Sequence, residues 1–127
     1  MEERTPAAIA EEWIEKWSAE EPPAIGPGVS ESTLDWEIPR ENPTLCLEAI
    51  EEVLARIDAK PRNRYFQVLA AGPLEDVLNE HGKVVVDQVA EMARQNPEFR
   101  LLLNGVWPSE IDPSVLEKLQ KFRGEPW

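Results

Sequence analysis

A chain of 127 residues with 25 acidic and 13 basic side chains, net charge −12, is sized for one domain and repels other polyanions. Nucleic acid and anionic membrane surfaces are thereby disfavoured as partners, and a basic protein is favoured. Hydrophobic residues at 42% and charged residues at 30% describe a chain that folds around a core, and the single cysteine, Cys46, excludes an internal disulfide.

The opening MEERTPAAIAEEW has no apolar core of a secretory signal, and an apolar stretch such as Val68 to Ala71 is far too short to span a bilayer. A cytoplasmic protein is expected. Proline then punctuates the chain. At Thr5-Pro6, Asn42-Pro43, Gly72-Pro73, Asn96-Pro97 and Asp112-Pro113 a capping or turn residue precedes a proline and a helical pattern follows. A polar cap accepts an orphan N–H of the first turn, and proline at the next position has no N–H to leave unpaired.

The first helix is predicted from Pro6 to Ser18, with Ile9, Trp13 and Trp17 on one stripe. Residues 21–33, rich in Pro and Gly, form a loop between the N-terminal helix, residues 1–20, and a helical core over 34–124. Leu34, Trp36 and Ile38 alternate with charges, but with no partner strand they read as a helical turn ended by Pro39. The spacing of Leu47, Ile50, Leu54 and Ile57 predicts a helix from Pro43 to near Asp58. Another covers Arg62 to Ala71 and stops at Gly72; Pro73 restarts a short helix with Leu74, Val77 and Leu78, which Gly82 stops. Lys83 to Gln95 follows with Val85, Val89 and Met92 inward, despite the β-branched run Val84–Val86. Pro97 opens a helix closed by Asn104-Gly105, and Pro113 opens the last, closed by Gly124. Residues Glu125 to Trp127 are expected to fray. The sum is an all-α single domain over 1–127 of about six or seven short helices, an orthogonal bundle or HEAT-like helix pairs.

The runs LAAGPLEDVLNEHG and VDQVAEMARQNPEFRLLLNGVW are distinctive. They resemble a bacterial domain family of unknown function. Its marks are an AAGPLEDLL–HG block, then a helix, a polar residue with Pro, a Phe-Arg pair and a GVW ending. Gly72, Pro73, Leu74, Glu75, Asp76, His81, Gly82, Pro97, Phe99, Arg100, Gly105 and Trp107 stand in register. The likeness covers Leu69 to Trp107 and extends weakly back through Asn42-Pro43 to Trp36. It implies a helical fold and no reaction.

Catalytic and metal-binding constellations are missing from the sequence. A zinc site needs three or four ligands, and one histidine with a distant Cys46 does not supply them. A di-iron bundle needs Glu-x-x-His, whereas Leu78 stands three residues before His81. There is no GxSxG, and Gly26-Pro27-Gly28 lacks the Gly-Lys-Ser/Thr of a phosphate loop. No cofactor is expected and no enzyme. Glu75 and Asp76 suit the positive end of a helix; a functional reading pairs them with Arg100 or a partner's cation. His81 reads as a helix-end histidine bonding a carbonyl, or else as a proton donor or ligand. Lys60, Arg62 and Arg64 are expected to meet the chain's own acidic surface. Trp107 reads as a core plug, or, if exposed, as an interface anchor. The expected function is that of an acidic protein that binds and neutralises a basic partner, as an immunity protein, antitoxin or inhibitor does. The alternatives are a scaffold with a peptide groove, a homodimer burying Trp36 or Trp127, and a carboxylate-based enzyme. Glu75, Asp76, Asn79 and His81 form the candidate docking surface.

Overall fold

The computed structural model describes residues 4–124 and 126–127. Among these, regular structure is helical: α1 (Pro6–Trp17), α2 (Glu37–Glu41), α3 (Pro43–Leu54), α4 (Arg64–Leu69), α5 (Glu75–Gln95), α6 (Pro97–Leu103) and α7 (Pro113–Leu119). Short 3-10 turns cover Thr33–Asp35 and Gln120–Phe122. Four of the five capped starts form as the sequence predicts. Thr5 Oγ1 accepts from Ala8 N at 3.1 Å, Asn42 Oδ1 from Leu45 N at 3.2 Å, Asn96 Oδ1 from Glu98 N at 3.0 Å and Asp112 Oδ1 from Ser114 N at 2.8 Å.

The fifth, Gly72-Pro73, is corrected. The chain neither stops at Gly72 nor restarts at Pro73. Ala70–Leu74 is a π turn that joins α4 to α5, and the Glu75 N–H reaches back five residues to Ala70 O. A wider turn absorbs the missing proline N–H and relieves the clash a proline ring makes with the preceding turn. Burial enforces the continuity: Leu69, Ala70, Pro73, Leu74 and Val77 are all buried.

At Gly82 the expected division holds in part: α5 is two helices joined across a kink, and what is corrected is only that Gly82 makes the stop. The bend falls on His81, at φ −135° and ψ 23°. A Cβ on Gly82 would lie 3.1 Å from Val115 Cγ2, so this glycine lets α7 pack closely on α5 rather than capping a helix. Pro39 does not end α2 either. It is the third residue of α2, within the first turn, where a missing N–H costs nothing. The helix α3 ends at Leu54, short of Asp58, with Ile57 packed on the core from the following turn.

The core is one cluster to which every helix but α2 contributes buried residues, and α2 packs Ile38 against it. The helix α1 packs on α3, and α5 is the spine against which α2, α3, α6 and α7 lie. Ile9, Ala10 and Trp13 of α1 have no exposed area. The loop into α2 is tied to α1 by Glu12: its Oε1 accepts from Thr33 N at 2.8 Å, while Arg4 pairs with its carboxylate at 3.0 Å. Burial would raise the Glu12 pKa, but the Thr33 and Arg4 hydrogen bonds outweigh it and the carboxyl lies below its ordinary value. No helix among the described residues is long and apolar enough to cross a membrane.

The two tryptophans near the C-terminus exchange their expected places. Trp107 is 71% exposed and is no core plug. Trp127, expected to fray, is docked: its ring stacks on Phe66 at 5.1 Å and its Nε1 donates to Leu101 O at 2.7 Å. Glu125, the start of that expected fray, lies outside the described residues, as do Met1, Glu2 and Glu3 of the opening segment.

Candidate functional site

The first turns of α5 carry all four candidate residues, and these turn to two sides. Glu75, Asn79 and Lys83 are four residues apart and share one face. The segment from Gly105 to Asp112 lies along that face as a strap pinned at both ends. Glu75 Oε1 accepts from Trp107 N at 3.0 Å, and Lys83 Nζ stands 3.3 Å from Asp112 Oδ2. Ile111 is buried, while Trp107, Pro108, Ser109 and Glu110 are exposed. Asn79 and His81 line a shallow cavity of about 200 Å³ beside the strap, with Lys83, Val84 and Asp112. Asn79 Oδ1 is buried there without a hydrogen-bond partner among the described residues.

Asp76 and His81 turn to α2 instead. Arg40 stands between them: its Nη1 lies 3.6 Å from Asp76 Oδ2, its Nε 3.9 Å from Glu80 Oε1, and its guanidinium 3.5 Å from the Trp36 ring centre. The His81 Nε2–H donates to Arg40 O at 2.6 Å, which closes the last turn of α2. The helix-end carbonyl that His81 bonds thus belongs to α2, not to its own helix. Arg100, the expected cation for Glu75 or Asp76, is occupied elsewhere; its Nε donates to Ala93 O at 2.9 Å. Arg40 was the residue hidden from sequence reasoning. Its signal was Trp36, four positions earlier, at the spacing where a guanidinium lies over an aromatic ring on a helix.

Burial raises the Asp76 carboxyl to about 6; Arg40 opposes this, and the neighbouring Glu75 and Glu80 charges add to it. A folded pKa above the unfolded value makes the fold bind a proton more readily, so this stability is present in mild acid and is lost as pH rises through about 6. Asp76→Asn is expected to raise the melting temperature at pH 7.5 and to flatten its fall between pH 5 and pH 7.5. Equal slopes in variant and parent, read by circular dichroism, would show that Asp76 carries no such penalty. Cys46, on α3, has its thiol raised by burial and contacts Pro73 O at 3.8 Å; it packs as a small apolar group.

Among the described residues, the basic cluster near α4 meets the chain's acidic surface at Lys60, whereas Arg64 turns to an aromatic ring. Lys60 lies 3.9 Å from Asp58, and the Arg64 guanidinium stands 5.7 Å from the Trp17 ring.

A spine helix with contacts on two flanks, a strap held over one of them and an exposed tryptophan on that strap define an all-helical domain with a distinct surface feature. The sequence places this domain in a family: the chain belongs to the family of unknown function DUF6869, which matches residues 29–126. No curated protein and no solved structure matches the chain. The match begins after α1, although α1 supplies Trp13 to the same core.

Proposed function

We propose that this is a cytoplasmic, non-catalytic binding protein that engages and neutralises a basic protein partner, in the manner of an immunity protein, antitoxin or inhibitor. The observation that carries the reading is Trp107, 71% exposed on a strap whose backbone is held by Glu75 at Trp107 itself and whose far end carries the Asp112–Lys83 side-chain ion pair. An aromatic anchor on a fixed backbone binds with little ordering cost, and tryptophan is enriched among residues that dominate binding energy. The surroundings are acidic: Glu75 holds the Trp107 backbone and Glu110 is exposed three residues on. The net charge of −12 would steer a basic partner to this surface. The docking surface comprises the strap and the Asn79–His81 cavity beside it, while Glu75, Asp76 and His81 hold the strap and α2 in position.

Affinity capture from the native host at low and high salt tests the reading. A basic protein retained at low salt, released at high salt, and retained roughly 30-fold less by Trp107→Ala is expected. Since the side chain is exposed, that substitution should leave stability within about 0.5 kcal/mol of the parent. Recovery of no basic protein at low salt would remove the proposal; capture that salt leaves unchanged would favour an apolar groove for a peptide.

A further inference from the structure

The surface beneath α1 is built to receive a helix. Its receptor side is α3, the Thr33–Asp35 turn and Tyr65, all within the residues that match the family, whereas α1 lies outside that match. Residues 18–32, which join the two, include Pro22, Pro23 and Pro27 and leave Ile25 and Val29 exposed, so α1 hangs on a tether that adds little to the core. The contacts across this surface are more specific than apolar packing. Asp35 accepts from Trp13 Nε1 on one oxygen and from Trp17 Nε1 on the other. Thr33 donates to Glu12 Oε1 twice, through its N at 2.8 Å and its Oγ1 at 3.0 Å. The Tyr65 ring meets Trp13 edge-on, and its hydroxyl lies 2.8 Å from Ser18 Oγ.

An aspartate is a poor residue for a permanently closed core. With α1 seated, Asp35 is 3% exposed and depends on the two indole donors. With α1 lifted away, its carboxylate meets water and needs neither. The aspartate thus makes this surface easier to open than an apolar residue would, and it penalises any helix that fails to bring a donor to each oxygen. We propose that the surface under α1 is a binding site for a helix of the pattern Glu-Trp-x-x-x-Trp, filled in cis by Glu12, Trp13 and Trp17 of α1 and open to a partner's helix of the same pattern when α1 lifts off. This site requires neither Trp107 nor a basic partner.

A fluorescent peptide of residues 4–19 is the probe, and its anisotropy is read against the full chain. In the parent, α1 competes from the same molecule at an effective concentration on the order of millimolar, so the peptide should bind weakly. Trp13→Ala in the chain weakens that competitor and should tighten peptide binding by at least about 30-fold. Trp17→Phe in the peptide removes one donor and should loosen binding to the Trp13→Ala chain about 10-fold. With Asp35→Asn added to that chain the loss should shrink to about 2-fold, which a tryptophan held by packing alone would not show. If Trp13→Ala unfolds the chain, the peptide should restore its helical circular dichroism, and Trp17→Ala in the chain repeats the titration in a milder background. Equal affinity for the parent and both chain variants puts the peptide elsewhere and overturns the site. So does a failure of both variants to bind the peptide or regain helix with it. A Trp17→Phe loss that Asp35→Asn leaves unchanged overturns the recognition of the two indoles by the carboxylate.

Discussion

Trp13→Ala is expected to lower the unfolding free energy by about 4 kcal/mol, the range for deleting a large buried aromatic. That is a large share of the roughly 5–15 kcal/mol that holds a domain of this size together. The side chain has no exposed area and meets the Trp17 ring at 6.1 Å and the Tyr65 ring at 6.3 Å. It also has a polar duty. Its Nε1 donates to Asp35 Oδ1 at 2.9 Å, and Trp17 Nε1 donates to the other oxygen at 3.0 Å. Asp35 is only 3% exposed, and burial raises its pKa while the two indole N–H groups oppose the rise. Trp13→Phe keeps most of the apolar volume and removes one of those donors, so it should cost less, about 1–3 kcal/mol. It should also raise the Asp35 pKa further, so that its cost grows as pH rises through the carboxylate range. Urea denaturation followed by circular dichroism reads both variants. A loss below about 1 kcal/mol for Trp13→Ala would show that α1 lies outside the cooperative core.

Gly105→Ala should act through a residue 22 positions away in the sequence. A Cβ at Gly105 would overlap the Trp127 ring, its Cε2 standing only 2.7 Å off. The ring must leave, and with it go the stacking on Phe66 and the hydrogen bond to Leu101 O. Trp127 is half-buried, so the loss should be roughly 2 kcal/mol, about half that of a fully buried tryptophan. Trp127→Ala should cost a similar amount, and the double variant little more than either, because the two changes remove one interaction. Additive losses in thermal or urea unfolding would show that Gly105 is required for another reason.

These variants divide what is local from what is not. The starts of α1, α3, α6 and α7 were legible because a capping bond spans only two or three residues: Thr5, Asn42, Asn96 and Asp112 each hold an N–H just ahead in the chain. Asn63 caps α4 in the same way, accepting from Tyr65 N at 2.8 Å, but arginine rather than proline follows it, so it lacks the signal the other starts share. The inward stripes of α1 and α3 were legible for the same local reason, since a helical period places Ile9 with Trp13 and Leu47 with Ile50 and Leu54 whatever they pack against.

The candidate site was legible only in part. Its four residues do fall on the opening turns of α5, but which neighbours they meet depends on contacts from α2 and the strap, 32 residues or more away for Trp107 and Arg40. The sequence by itself determined an all-helical domain, its capped starts and its acidic surface. Tertiary packing decided the rest. Gly72-Pro73 has the local form of a stop and restart, yet burying the residues on both sides of it favours one continuous helix with a widened turn over two short ones. Gly82 has the form of a cap, yet it is the space into which Val115 fits. Trp107 and Trp127 are equally apolar, so composition cannot rank them; Trp127 is the one that docks because the bare Cα of Gly105 leaves room for its ring against Phe66, and Trp107 is left on the surface.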